Sequence, residues 1–120
     1  MKISNRAFAL AGILALSCCD DADWLWKDGN YRVYTRPNSQ EIILGYHFGD
    51  GGVLGLSEAT VTAAGADVRY VVFQVNHSSN YYILKEADGE GSTQGPFDEK
   101  QFETIRRQLS LPLFEWHLRR

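Results

Sequence analysis

The stretch YYILKEADGEGSTQGPFDEKQFETIRRQL, residues 81–109, decides the fold because it contains both kinds of regular element that the chain predicts. Aromatic and aliphatic residues alternate over 81–87, which predicts a β-strand. The Gly-rich run 88–95 predicts a mobile loop. Apolar residues then recur at helical spacing over 98–109, which predicts a helix. The chain therefore passes from strand to helix once, late in the sequence.

The start of the predicted helix is well marked. Asp98 can accept a hydrogen bond from the first-turn amides, and Gln101 three residues later completes a capping-box pattern. Phe97 before the cap and Phe102 inside the helix match a hydrophobic staple. The apolar stripe that begins at Phe102 is expected to face a sheet.

Upstream of this stretch the sequence is dominated by further strand patterns separated by turns. Strands are predicted over 31–36, 41–48, 59–64 and 68–76, with short or optional strands at 53–56 and 113–118. The chain lacks the long crossovers that parallel pairing requires. The sequence therefore predicts an α+β fold: one antiparallel sheet of about five or six strands with one C-terminal helix packed on it.

The N-terminus, MKISNRAFALAGILALSCC at residues 1–19, has the layout of a secretory signal. Lys2 and Arg6 form a basic start, and residues 7–16 form an apolar run. That run is about half the roughly 20 residues that a transmembrane helix needs. With its cysteine pair, the segment resembles a bacterial lipobox, in which a signal peptidase cuts just before a cysteine whose sulfur carries a diacylglycerol.

The lipobox resemblance implies lipid attachment at Cys18, which follows the small residue Ser17, with Cys19 as the alternative. If Cys19 carries the lipid, Asp20 takes the position that favours inner-membrane retention in the lipoproteins this segment resembles, so the choice between inner and outer membrane stays open. An ordinary cleaved signal and a structural helix are the other interpretations. The predicted organisation is a signal peptide at 1–17, a lipidated tether at 18–30 and a single small α+β domain at 31–120.

The composition of the chain argues against nucleic-acid binding and against a disulfide in the folded domain. The 120 residues carry a formal net charge of −3, and loss of the signal peptide, with its two cations and no acid, makes this −5. Such a domain lacks the basic surface that nucleic-acid binding requires, so no nucleic-acid partner is expected. The only cysteines are Cys18 and Cys19, so the folded domain is expected to contain no disulfide.

No chemical motif stands out. His47, His77 and His117 lack metal-ligand spacing, so neither a metal nor another cofactor is expected. The acids that could form a glycosidase pair are Glu41, Asp50, Glu58 and Asp67. They occupy predicted hairpin ends and polar strand faces, where acids are usually solvated. No catalytic residue is predicted, and the chain is not expected to be an enzyme.

Residues 81–85 and 95–102, a YYI strand followed by a Gly-Pro turn and a capped helix, are similar to segments of small bacterial envelope lipoproteins of uncharacterised function. Some small immunity-type proteins have a similar layout. The resemblance covers about residues 68–112. It is structural and supplies no functional residue.

These observations predict a lipid-anchored, non-catalytic protein-binding module of the immunity or inhibitor type, on the periplasmic or outer side of an envelope membrane. Its partners would be the membrane, through the anchor, and another protein. A sheet face or edge together with the 88–95 loop is the expected binding surface. The alternatives are a small envelope hydrolase using residues such as Glu41, Asp50, His47 and His77, and a structural accessory lipoprotein of an envelope complex.

Overall fold

A computed structural model describes residues 24–119, which form nine strands and one helix. In chain order these are β1 (Trp24–Asp28), β2 (Tyr31–Thr35), β3 (Ile42–His47), β4 (Val53–Gly55), β5 (Val61–Ala66), β6 (Tyr70–Val75), β7 (Ser79–Leu84), β8 (Ser92–Phe97), α1 (Glu99–Leu109) and β9 (Trp116–His117).

The strands form two antiparallel sheets, where the sequence predicts a single sheet of five or six strands. One sheet has the order β1-β2-β3-β4, and the other has the order β9-β5-β6-β7-β8. The chain changes sheet between β4 and β5, where the Ser57 hydroxyl accepts a hydrogen bond from the Leu44 amide at 2.8 Å. Alternating polarity shows which residues a strand buries but not which sheet it joins. The fold is therefore a mostly β sandwich with one helix.

The main core lies between the two sheets, because each contributes its inward-facing residues. The largest fully buried side chains of this core are Val33, Leu44, Val61, Val71, Phe73 and Ile83. The Phe73 ring stacks on Tyr81 with a centroid distance of 4.7 Å. A large aliphatic or aromatic side chain contributes about 1.5–3 kcal/mol when fully buried, so this layer dominates the stability.

The predicted helix is confirmed, including its cap. The Asp98 carboxylate accepts a hydrogen bond from the Gln101 amide at 2.7 Å, and the Gln101 side chain accepts one from the Asp98 amide at 3.0 Å. The helix lies on the outer face of the five-stranded sheet, where Phe102 packs in a second core cluster with Tyr70 and Val72. The amphipathic pattern placed this helix correctly because only one of its faces is apolar.

Two edge strands differ from the sequence prediction. Residues 24–28, assigned to the tether 18–30, form β1, and residues 92–95, assigned to the mobile loop 88–95, belong to β8. Trp24 and Trp26 are two residues apart, a spacing that places both side chains on one face of a regular strand. A β-bulge separates them, so that Trp26 is 6 % exposed and Trp24 is 37 % exposed. Among residues 24–119 each of these strands has a partner on one side only, which weakens the sequence signal that marks them.

The C-terminal segment crosses directly over Gly65 in β5 before it reaches β9. A Cβ atom at residue 65 would collide with the carbonyl oxygen of Leu113 and would lie 3.1 Å from the Cα of Phe114. Both are backbone atoms, which cannot move without shifting the segment. The close approach therefore requires glycine at this position.

We predict that Gly65→Ala destabilises the fold by about 1–3 kcal/mol, because the added methyl group displaces the C-terminal segment. Gly49→Ala is the matched control, since a Cβ there meets nothing within 4 Å. Urea denaturation of the two variants would measure the difference. Equal stability of the two variants would show that the crossing is not tightly packed.

Candidate functional site

The three histidines do not assemble into a site. His47 in β3 packs edge-on against the Tyr34 ring with centroids 5.5 Å apart. His77 occupies the turn between β6 and β7 at a φ of 60°, and His117 lies in β9 with its ring 6.2 Å from that of Phe114. Within residues 24–119, no group of three His, Cys, Asp or Glu side chains could hold a metal ion.

The candidate carboxylates mostly stabilise turns. Glu41 lies 3.5 Å from Arg36 in an exposed ion pair at the end of a hairpin. Asp50 and Asp67 each accept a hydrogen bond at 2.9 Å from the backbone amide two residues later, as Asp residues commonly do in turns. Glu58 is exposed in the segment that connects β4 to β5. The contacts of these four acids are thus with turns, an arginine or solvent, and none of these contacts joins two of the four.

The predicted lipid attachment residues Cys18 and Cys19 lie outside the described residues 24–119. Lipid attachment therefore remains a prediction from the sequence.

The strand β8 lies at one edge of the five-stranded sheet. It pairs with β7 on one side, and its residues 92–96 are exposed. The unpaired side of an edge strand presents N–H and C=O groups that can pair with another chain. This strand, with the segment 86–91 that leads into it, forms what we call the β8 edge.

The entry to the β8 edge is held in place by Tyr31 from the other sheet. Its hydroxyl donates a hydrogen bond of 2.9 Å to the carbonyl oxygen of Glu90. Gly91 follows at a φ of +79°, and a Cβ there would collide with the Leu84 carbonyl oxygen. Burial is the main reason that the pKa of Tyr31 is raised to about 12, and the nearby Tyr46 and Glu90 raise it further. The hydroxyl is therefore protonated at neutral pH and can act as the donor.

The exit from the β8 edge is held by a buried polar chain. The Asn80 amide donates to the carbonyl oxygen of Phe97 at 3.2 Å, and its side-chain oxygen accepts from Gln74 at 3.2 Å. The Thr62 hydroxyl donates to the Gln74 oxygen at 3.0 Å. Thr62 and Asn80 are buried, so these hydrogen bonds satisfy groups that would otherwise be costly to remove from water.

A polar cleft of about 520 Å³ lies between this end of the sheet and the helix. Gln74 and Asn80 line it from the sheet, and Glu99 and Glu103 line it from α1. Arg106 closes one side, where its guanidinium donates to the Pro112 carbonyl oxygen at 2.8 Å and lies 5.3 Å from the Phe102 ring centroid. The cleft offers hydrogen-bonding groups and carboxylates to a polar partner.

The sequence predicts a binding surface that includes residues 88–95, which stays a prediction, but it did not predict the strand within them. Their Gly-rich, polar composition concealed that strand. The weak signals present were Thr93, a residue type enriched in strands, and Pro96, which sheets accept at an edge. Nothing in the sequence indicated that Tyr31, more than 50 residues away, holds this segment.

We predict that Tyr31→Phe destabilises the protein by about 1 kcal/mol at pH 7, because the Glu90 carbonyl loses its donor. The substitution should also reduce the fall in the free energy of unfolding at alkaline pH. Between pH 10 and pH 12 the unfolded chain releases the Tyr31 proton while the folded protein keeps it, so the free energy of unfolding falls by up to about 2.5 kcal/mol. Urea titrations at several pH values would measure both effects.

The parent protein is the reference for this comparison. The same loss of stability between pH 10 and pH 12 in the parent and in Tyr31→Phe would show that the buried hydroxyl does not cause it.

Within residues 24–119, no helix has the length and apolar character needed to cross a membrane. Comparison of the chain with protein-family models, with curated proteins and with solved structures gave no match.

Proposed function

We propose that this chain is a lipid-anchored, non-catalytic protein-binding module of the bacterial cell envelope, of the immunity or inhibitor type. The observation that carries the proposal is the β8 edge, an exposed edge strand held at both ends. An inhibitor of this kind would hold a toxin or a hydrolase near the membrane. No cofactor takes part.

The geometry of the β8 edge suits strand addition. A partner segment that pairs with an edge strand gains main-chain hydrogen bonds, while its alternate side chains contact the two faces of the sheet. Because Tyr31 and Asn80 fix the ends of the edge, little conformational entropy remains to be lost when a partner binds. Pro96 lacks an N–H group, so the open pairing surface is centred on residues 92–95.

The polar cleft extends this surface beyond the strand. Asn80 belongs both to the hydrogen bond that holds Phe97 and to the lining of the cleft, so the two features are continuous. Arg106 lies 3.5 Å from Glu103 and offsets its charge, so the cleft offers the Glu99 carboxylate and several neutral hydrogen-bonding groups to a polar partner. The combination of main-chain pairing and polar side-chain contacts would provide specificity.

The anchor is the second part of the proposal. Lipid attachment at Cys18, with Cys19 as the alternative, would keep the domain on the periplasmic or outer side of an envelope membrane. Two-dimensional confinement raises the effective concentration of the domain toward partners at the same membrane.

We predict that a photo-crosslinking amino acid at Gln94 in the β8 edge gives a discrete adduct in intact cells, because the partner strand would lie directly beside it. Thr104, an exposed residue of α1, is the control position. Immunoblotting detects the adduct, and mass spectrometry identifies the partner.

Thr93 and Gln94 are exposed, so the substitutions Thr93→Lys and Gln94→Lys should not unfold the domain. They should reduce partner binding at least about tenfold, because charged side chains on an edge strand oppose pairing.

Equal labelling from positions 94 and 104, or full binding by the lysine variants, would contradict use of this edge.

We predict that the native protein partitions into detergent and has an intact mass increased by acyl chains, because a diacylglycerol adds a large apolar group. Cys18→Ser should abolish the mass increase, and Cys19→Ser should leave it intact. Loss with Cys19→Ser alone would assign the lipid to that residue. An unmodified, water-soluble native protein would overturn the anchored part of the proposal.

A further inference from the structure

Three residues that line the polar cleft are tied together by the hydroxyl of Thr62. This hydroxyl accepts a hydrogen bond from the His77 backbone amide at 3.0 Å and donates to the Gln74 side-chain oxygen at 3.0 Å. The Gln74 amide in turn donates to the Asn80 side-chain oxygen at 3.2 Å. Thr62 is 3 % exposed and Asn80 is 4 % exposed, so these hydrogen bonds are shielded from water. The chain of hydrogen bonds therefore holds the Gln74 and Asn80 side chains in fixed positions.

The two fixed amides retain unused hydrogen-bonding capacity. A side-chain amide has two N–H donors and an oxygen with two lone pairs. Among residues 24–119, the Gln74 amide donates once, to Asn80, and its oxygen accepts once, from Thr62. The Asn80 amide likewise donates once, to Phe97, and accepts once, from Gln74. Each amide thus keeps one N–H group and one lone pair for a molecule in the cleft.

His77 lies beside these amides at a backbone position that favours glycine. The turn between β6 and β7 has a φ of 53° at Asn76 and 60° at His77, and the Ser78 amide closes it by donating to the Val75 carbonyl oxygen at 3.1 Å. Positive φ at both central residues marks a type I′ turn, whose second central residue is most often glycine. A side chain there carries a conformational cost, and such costs concentrate at functional sites. The side chain retained at this position lines the cleft.

The opposite wall of the cleft is formed by α1 and the segment that follows it. Glu99 is exposed at the start of the helix. Further along, the Arg106 guanidinium lies 3.5 Å from the Glu103 carboxylate and stacks over the Phe102 and Phe114 rings, 5.3 Å and 5.9 Å from their centroids. The guanidinium therefore covers the aromatic rings and makes this part of the wall polar.

The charges and contacts of the polar cleft argue against several classes of ligand. Glu99 and Glu103 oppose an anion, and Arg106 offsets one of these two carboxylates. In the part of the chain that the structure describes, no group of three His, Cys, Asp or Glu side chains could hold a metal ion. Peptides bind most strongly through aromatic or apolar anchors in dry pockets, whereas the rings of this cleft lie under a guanidinium.

A neutral ligand rich in hydroxyl groups matches what remains. Each hydroxyl both donates and accepts, so it can donate to the Glu99 carboxylate or to an amide oxygen while it accepts from Gln74 or Asn80. The volume of about 520 Å³ is within the usual range for small-molecule sites. Because the two amides are already held in place, little ordering of the protein is needed when such a ligand binds.

We propose that the polar cleft binds a neutral saccharide. A site that hydrogen-bonds hydroxyl groups is selective, because a ligand without them leaves the polar groups of the site unpaired. The inference goes beyond the proposed function, in which the β8 edge binds a protein through its backbone. A saccharide in the cleft would lie beside that edge, since Asn80 contacts Phe97 and lines the cleft.

The test applies the full chain, in a detergent without a sugar headgroup, to a printed array of neutral and acidic oligosaccharides, and calorimetry then measures the affinity of the neutral oligosaccharides that bind. His77→Gly should weaken this binding at least about tenfold and leave the urea midpoint unchanged or higher, because glycine suits the turn. Asn38→Gly is the matched control, since Asn38 is an exposed residue with a φ of 63° in a hairpin turn of the other sheet. It should not change the affinity.

Glu99→Gln, which removes the charge of an exposed side chain and keeps its size, should also weaken binding about tenfold. Glu41→Gln makes the same change at an exposed hairpin end of the other sheet and should have no effect. An array on which no neutral oligosaccharide binds, or equal effects of each variant and its control, would overturn the proposal. Preferential binding of acidic oligosaccharides would also overturn it. None of these outcomes bears on the β8 edge, which the crosslinking from position 94 tests separately.

Discussion

The packing of the two sheets against each other is the constraint on which the rest of the structure depends. The apolar layer around Phe73 and Leu44 supplies most of the favourable free energy, and polar contacts between the sheets set their relative position. The Trp26 indole donates to Glu115 at 2.8 Å, and the Lys85 ammonium bridges Asp28 at 2.7 Å. Within the described residues there is no disulfide-forming cysteine, so these contacts and the core hold the sandwich together.

The β8 edge also depends on the packing between the sheets. It belongs to the five-stranded sheet, whereas Tyr31, which holds the segment that leads into β8, belongs to β2 of the four-stranded sheet. The position of this edge is therefore fixed by a contact that exists only when the two sheets are packed together.

The sequence predicted those parts of the fold whose signals are local. The helix and its Asp98 cap were recognisable because capping and amphipathic periodicity involve residues three or four positions apart. The central strands β3 and β6 were recognisable from their alternation. The edge strands β1 and β8 were missed because they are short or polar and, in the part of the chain that the structure describes, each pairs with one strand. The division into two sheets was missed because pairing between distant strands leaves no local pattern.

The sequence by itself determined the central strands and the helix with its boundaries, the acidic balance of the chain and the signal-like segment that predicts a lipid anchor. Only the tertiary structure decided which strands share a sheet, that residues 92–97 form an edge strand, and that Tyr31 of the other sheet holds the segment leading into it. The physical reason is the range of the interactions. Periodicity and capping depend on neighbours along the chain, whereas register, edges and shared faces depend on contacts between residues that are distant in sequence.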